Sequence, residues 1–290
     1  MSVKFQKQFF LLLFAILSSV KMGAQSVITF DIGEYKVSAM TDSKMNGKPE
    51  LLIGATPAMI QEYYPDGTFP LEVNTFLVRT PNKKILIDAG TGGELSDNLK
   101  LMEVTPEQID EIFLTHMHGD HIGGLLKDNE PVFSNATLYI SKKEAEFQTS
   151  SEKGEGARKV LKAYKNKLKL FDPEVLGSEK TELSPGIWGI AAYGHTPGHT
   201  AFLIKSDDTK LLIWGDITHA IDIQVAHPTV ALSFDNNSET AIETRKNILK
   251  YVVKNKIPVG GMHIPFPGIG NVRSSGQTYS FEAFCTCLGY

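Results

Sequence analysis

Thr115-His116-Met117-His118-Gly119-Asp120-His121-Ile122-Gly123-Gly124 sets three imidazoles and a carboxylate within six positions, among glycines that let the backbone bend so that they converge. Residues 110–114, Asp-Glu-Ile-Phe-Leu, read as a short buried strand before it, and residues 122–126 can open a helix after it. Imidazoles and a carboxylate gathered on a strand-to-helix turn are the donors a transition metal needs, zinc and similar ions above all. A solvated histidine-rich loop would need no further donors elsewhere in the chain, yet they are there.

Residues 194–200, Gly-His-Thr-Pro-Gly-His-Thr, place His195 and His199 on a Gly/Pro turn between strands. Asp216 follows the apolar run 211–213, and His263 follows the run 259–262. Upstream, Asp88 closes the run 84–87 and meets flexible backbone at Gly90-Thr91-Gly92-Gly93. All these candidates fall at strand ends, where loops at one edge of a sandwich can meet.

Working outward, residues 27–30 and 35–40 read as strands, and the Gly/Pro-rich stretch 46–70 as an excursion rather than core. Residues 71–78 and 84–87 read as a hairpin turning at Thr80-Pro81-Asn82, residues 94–102 as a helix, and Thr105-Pro106-Glu107-Gln108 as a helix start. A strand over 136–140 leads to a helix opening over 141–147. Residues 155–169 read as a lysine-rich helix with a solvated face and no strand, well placed to cap a site. Strands resume over 187–192, 201–204 and 211–213. Residues 238–254 form the clearest helix, striped by Ala241, Ile242, Ile248, Leu249, Val252 and Val253, before a last strand at 259–262. Strands in runs followed by helices, twice over, imply two β-sheets between helices, an α+β architecture.

Lys4 and Lys7, the nine apolar residues 9–17 and the small pair Gly23-Ala24 have the order of a secretory signal peptide cleaved after Ala24, which leaves residues 25–290 as one domain. Nine apolar residues cannot span about 30 Å of hydrocarbon as a helix, so no stable membrane anchor is expected. The expected location is periplasmic or secreted. Removal of residues 1–24 takes away Lys4, Lys7 and Lys21 and no acid, leaving 26 basic against 33 acidic side chains. That balance opposes nucleic-acid binding. Cys285 and Cys287, two positions apart, offer no disulfide framework and no metal donor.

His-x-His-x-Asp-His at residues 116–121, followed by His199, Asp216 and His263, resembles the metallo-β-lactamase superfamily across essentially the whole chain after residue 24. The resemblance implies a four-layer αββα sandwich with the metal site at one edge. It implies two Zn²⁺, with Mn, Fe and Co as other candidates: His116, His118 and His199 on the first, Asp120, His121 and His263 on the second, Asp216 bridging both. An aspartate at position 216 argues against a true β-lactamase, and His118 against flavodiiron-type redox chemistry, where glutamate stands. Residues 194–200, 214–216, His227-Pro228 and 263–270 are similar to the N-acyl homoserine lactonase and methyl parathion hydrolase branch.

That branch implies a metal-bridging hydroxide attacking a lactone carbonyl. Asp120 would shuttle the proton to the leaving ring oxygen and His219, where many lactonases carry tyrosine, would contact the carbonyl. Phe147 and Phe266 are candidates for an apolar substrate wall. His195 is expected to orient neighbours, His227 to be structural, and Asp88 to support the metal loops. The expected activity is opening of N-acyl homoserine lactones, which silences cell–cell signals. Organophosphate triester hydrolysis is the alternative, and β-lactam or thioester hydrolysis ranks below it. The partner is a small-molecule lactone, and a homodimer is allowed.

Overall fold

Alternation along two neighbouring strands sets how the layers stack. Phe76, Val78, Ile85 and Ile87 point one way, into a cluster with Phe202, Ile204, Leu211 and Ile213. Leu77 and Leu86 point the other way, into a cluster with Leu95, Leu99 and Val160. Two-residue periodicity with apolar side chains on both faces is the mark of a strand covered on both sides. The structure, a computed structural model, describes residues 26–276 and 278–284. The segment expected as signal peptide and the Cys285/Cys287 pair lie outside the described residues.

The first sheet has seven strands that lie side by side in chain order: β1 Val27–Ile32, β2 Tyr35–Gly47, β3 Phe69–Arg79, β4 Lys84–Ile87, β5 Glu111–Phe113, β6 Thr137–Ser141 and β7 Leu168–Phe171. From β1 to β4 neighbours are antiparallel, and from β4 to β7 they are parallel. The second sheet holds β8 Ile187–Ala191, β9 Thr200–Ser206, β10 Thr209–Ile213, β11 Val259–Gly260, β12 Ile269–Ser275 and β13 Thr278–Ala283, again in chain order. Only β10 and β11 pair in parallel there. Phe113 from the first sheet meets Phe202 from the second with ring centroids 5.3 Å apart. Each fully buried phenylalanine adds about 1.5–3 kcal/mol to this central layer.

Helices cover the outer faces. Leu95 and Leu99 of α2 (Leu95–Leu101) and Ala157 and Val160 of α5 (Glu155–Ala163) pack on the first sheet. Ile248, Leu249 and Val252 of α7 (Ser238–Asn255) pack on the second with Trp188, Leu203 and Trp214. The side chain of Asn237 caps α7 by accepting from the Thr240 N–H at 2.9 Å. The result is the expected αββα sandwich. Among the described residues, no helix is long and apolar enough to cross a membrane.

Several sequence expectations need correction. The stretch 46–70 is not bare excursion: it holds α1 (Pro57–Tyr63), and its Leu52, Tyr64 and Phe69 form a satellite core with Ala220, Val230, Leu232 and Ile223 of α6 (Ile221–Ala226). Residues 106–108 make one 3₁₀ turn, with the Gln108 side chain accepting from the Thr105 N–H at 3.0 Å. The helix after the histidine motif, α3 (Gly119–Ile122), opens inside it rather than beyond it. Helix α5 stops at Ala163, and the expected helical tail becomes strand β7, parallel to β6. On α7, Arg245 occupies the buried stripe while Ile242 and Val253 are half-buried. Two strands, β12 and β13, follow what was expected to be the last one.

One irregularity supports the site edge. The pairing of β2 with β3 runs Thr41↔Asn74 and then Ser43↔Val73, so Asp42 is an extra, bulged residue. Its carboxylate accepts from the Thr91 N–H at 2.8 Å, the Thr91 hydroxyl at 2.6 Å and the Leu95 N–H at 2.9 Å. Those bonds pin the glycine-rich loop after β4 and the first turn of α2.

Candidate metal centre

The motif residues leave β5 at its end, Asp88 leaves β4, Asp216 leaves β10 and His263 leaves β11, so one edge of the sandwich collects them all. A backbone bond from the Thr200 N–H to the Thr115 carbonyl, 2.9 Å, ties the second sheet to the motif loop. Gly215, at φ 62°, is required: a Cβ there would collide with the His199 imidazole. Asp88 takes the left-handed φ of 56°, rare for a residue with a side chain. In that pose its buried carboxylate accepts from the Thr115 N–H at 2.8 Å and the Thr115 hydroxyl at 2.6 Å, and lies 2.7 Å from His121 Nδ1.

Asp216 is the hub. Its Oδ2 lies 3.1 Å from Nε2 of His263 and of His219, 3.3 Å from Nε2 of His121 and of His195, and 3.6 Å from Nε2 of His116. His199 Nε2 accepts from the Asp216 backbone N–H at 2.9 Å. Asp120 Oδ2 is 3.5 Å from His263 Nε2 and 3.7 Å from His121 Nε2. His118 Nδ1 sits 2.9 Å from His116 Nε2 and 3.1 Å from His195 Nε2. Of the eight histidines in the chain, only His227 stands apart, edge-on to Tyr63.

Tautomers decide what the cluster wants. Nδ1 of His121, His199, His263 and His195 faces Asp88, the Ala192 carbonyl, the Glu72 carbonyl and Asp235, at 2.7, 2.8, 2.7 and 3.0 Å. Each partner accepts, so each Nδ1 carries a proton, and Nε2 is the nitrogen left to face the cluster, where an ion or a second proton can bind. Three of those nitrogens face a carboxylate oxygen of Asp216, so positive charge is needed there, on the ring or between ring and carboxylate. His121 Nε2 and Asp216 Oδ1 are buried with no hydrogen-bond partner. These orphaned donor atoms, with no thiolate among them, fit zinc or a similar divalent ion.

The electrostatics agree. Burial pushes the imidazoles of His118 and His219 down to about 4 and that of His199 to about 3, so they are neutral donors at physiological pH. Burial opposes the Asp216 carboxylate, but the surrounding imidazoles, His121 first, outweigh it and hold Asp216 well below the usual carboxylate range. At His121 and His263 burial is likewise overridden, chiefly by Asp216, which favours positive charge on those rings. Among the described residues, four groups have donor atoms close enough to share an ion: His116/His199/Asp216, Asp120/His121/His263, His116/His118/His195 and His195/Asp216/His219.

A cleft of about 560 Å³ opens over this centre, lined by His118, Asp120, His195, Asp216, His219 and His263 on its floor. Met45, Leu71 and Phe234 supply apolar wall, and Lys153 the one cationic ammonium among its lining residues. A second hollow of about 410 Å³ shares His118, Gly119, Lys153, His195 and Phe234 and adds Phe147, Gln148 and Asn236.

The structure therefore gathers all seven expected donors: His116, His118, Asp120, His121, His199, Asp216 and His263. His118 associates with His116 and His195 rather than with His199. His195, expected only to orient neighbours, turns its own Nε2 into the cluster because Asp235 holds the far side of its ring. His219 lines the cleft with its imidazole on Asp216 and stacked on His263, ring centroids 4.3 Å apart. Phe147 borders the second hollow and not the cleft over the metal centre. Phe266 lines neither cavity: its segment is drawn toward β3, where the Phe266 N–H donates to Glu72 at 3.0 Å. The apolar wall comes instead from Phe234, Met45 and Leu71, which no sequence pattern marked.

Residues 68–269 match the family model of the Metallo-beta-lactamase superfamily. Among solved structures, AidC, a dizinc quorum-quenching lactonase in complex with a product, aligns with a TM-score of 0.82 and 27% identity over 90% of this chain and 98% of its own. Hydrolase AbOPH of the beta-lactamase superfamily aligns with a TM-score of 0.81 and 28% identity over 91% of this chain and 99% of its own. The N-acyl homoserine lactonase of Bacillus cereus is 23% identical over 218 residues, 66% of this chain and 81% of that protein. The chain spans less than two thirds of other curated relatives, 61% of one from Bacillus subtilis and 20% of one from Streptococcus pneumoniae.

Proposed function

The chain belongs to the metallo-beta-lactamase superfamily of hydrolases, and from that premise we propose that it is a dizinc enzyme opening the lactone ring of N-acyl homoserine lactones. The observation that carries this reading is the ring of inward-facing imidazole nitrogens around Asp216 under a cleft walled by Met45, Leu71 and Phe234. Likeness to AidC over 90% of the chain supports the substrate class. Export follows from the lysine, apolar and small-residue order of residues 4–24.

His116, His118 and His199 would hold one zinc and Asp120, His121 and His263 the other, with Asp216 serving both. When bound, such ions polarise a carbonyl oxygen and lower the pKa of water to about 7. Asp88, the Ala192 carbonyl and the Glu72 carbonyl fix the tautomers of His121, His199 and His263, so the donors are oriented before any ion arrives. Asp120 keeps about a third of its side chain open to the cleft (34%), which suits it to carry the proton to the leaving ring oxygen. His219 lines the same cleft, and its Nε2–H is the donor assigned to the carbonyl oxygen that gains charge, in exchange for its contact with Asp216. The apolar wall takes the acyl chain.

The test is hydrolysis of a matched panel by the zinc-loaded chain from Gln25: short- and long-acyl homoserine lactones, a methyl phosphotriester, a cephalosporin and a glutathione thioester. Lactone opening with kcat/KM in the range of about 10⁴–10⁸ M⁻¹s⁻¹, lost in Asp216→Ala, is the expected result. Triester turnover far above lactone turnover would replace this reading with the triesterase one.

A further inference from the structure

Glu144 has no assigned part in the chemistry, yet it is a fully buried carboxylate beside the metal centre. It sits in the first turn of α4 (Lys142–Ser150), where Ser141 caps the helix by accepting from the Glu144 N–H at 3.2 Å. One carboxylate oxygen accepts from the Met117 N–H at 3.1 Å and from the Gln148 side-chain amide at 3.0 Å. The other accepts from the Thr196 hydroxyl at 2.6 Å. Met117 lies between His116 and His118; Thr196 lies between His195 and His199. One side chain thus grips both loops that carry these histidines.

The surrounding contacts tighten the grip. The Ser141 hydroxyl donates to the Gly198 carbonyl at 2.7 Å, and a Cβ at Gly198 would collide with the Glu144 backbone. Among the described residues, no cation pairs with Glu144, so its charge rests on those three neutral donors, and losing any of them leaves a buried charge undersatisfied. The other donor cluster hangs elsewhere. His121 is held by Asp88, and the His263 loop by Glu72 and Asn74 of β3. The two halves share Asp216 and the Asp88–Thr115 contact, but Glu144 reaches loops of the first half alone.

We infer that Glu144 is a positioning residue that sets the spacing between the 116–118 loop and the 195–199 turn, and thereby the affinity of the His116/His118/His199 half alone. This rests on the zinc reading above. Supporting residues of this kind change metal affinity by about 10–100-fold when replaced.

The experiment is a zinc titration of the chelator-stripped full chain against a competing chromophoric chelator. Wild type is expected to bind two equivalents. In Glu144→Gln, which keeps the shape but turns one acceptor into a donor, one equivalent weakens by about 10–100-fold and the other holds within about twofold. Thr196→Val, which removes one donor, weakens the same equivalent less, and it decides the matter should Glu144→Gln fail to fold. Asn74→Ala, which frees the loop carrying His263, weakens the other equivalent, and the Glu144→Gln/Asn74→Ala double variant weakens both. Unchanged affinities in Glu144→Gln, equal weakening of both equivalents, or a double variant that spares one equivalent would overturn the inference while leaving the dizinc centre standing. A wild-type chain that takes up no zinc overturns both.

Discussion

Asn74 of β3 holds the loop that presents His263, and the strength of that hold can be worked out from its contacts. Its side chain is buried; its amide donates to the Ile264 carbonyl at 2.6 Å and the Gly261 carbonyl at 3.1 Å, and its oxygen accepts from the Thr41 hydroxyl at 3.1 Å. Asn74→Ala removes three hydrogen bonds worth about 1 kcal/mol net each and strands the Ile264 carbonyl, a loss of about 3–4 kcal/mol. For a chain of this size each kcal/mol moves the melting temperature by about 2–4 °C, so a fall of about 10 °C is expected. Asn74→Asp keeps the size and the Thr41 acceptor but loses both donors and sets a charge against two carbonyl oxygens, so it should cost at least as much. Thermal unfolding followed by far-UV circular dichroism at fixed free zinc measures both variants. A fall under about 2 °C in Asn74→Ala, or an Asn74→Asp protein melting like wild type, would refute the hydrogen-bond account of how His263 is placed.

Three further outcomes follow from other parts of the structure. Burial pushes the Tyr164 phenol up to about 12, so its contribution is whole below pH 10 and drains away as pH rises toward 12, by about 3 kcal/mol in all. Urea unfolding between pH 9 and 12 should show this alkaline loss in wild type and a shallower one in Tyr164→Phe; parallel curves would disprove it. Chelator treatment should lower the melting temperature and excess zinc restore it, since an ion at about 1,000 times its dissociation constant adds about 4 kcal/mol; a melting temperature indifferent to zinc would contradict the donor geometry. Phe234→Ala should raise KM for a long-acyl lactone about 5–10-fold with kcat little changed, whereas Phe266→Ala should leave KM within twofold; the opposite order would restore Phe266 to the cleft.

Much of this molecule is legible in its sequence because its signals are local. Each metal donor follows an apolar run, so strand ends and candidate ligands are read together, and the hairpin around Thr80-Pro81-Asn82 announces both of its strands. What escaped depends on distant partners. Leu168 and Leu170 of β7 are only partly covered, at the sheet's rim, so their alternation looks like helix surface beside the lysines. His195 enters the cluster because Asp235, forty residues on, turns its ring. Glu144 is surrounded in sequence by the exposed Lys142, Lys143 and Glu146 and looks like one more solvated charge; only the approach of Met117 and Thr196 makes it a buried clamp. Phe234 lies in a polar loop with no periodicity, and nothing before folding marks it as cleft wall.

The bulge at Asp42 gives β2 something like a reading frame. Up to Thr41 and again from Ser43 the strand is paired with β3, but the two stretches are in step only because one residue is spare. A substitution at Asp42 costs the contacts to Thr91 and Leu95 and leaves the pairing alone. Deletion of the same residue acts as a frameshift in space: every side chain from Ser43 to Gly47 would exchange faces or lose its partner on β3. At this position the length of the chain carries more information than the identity of the residue.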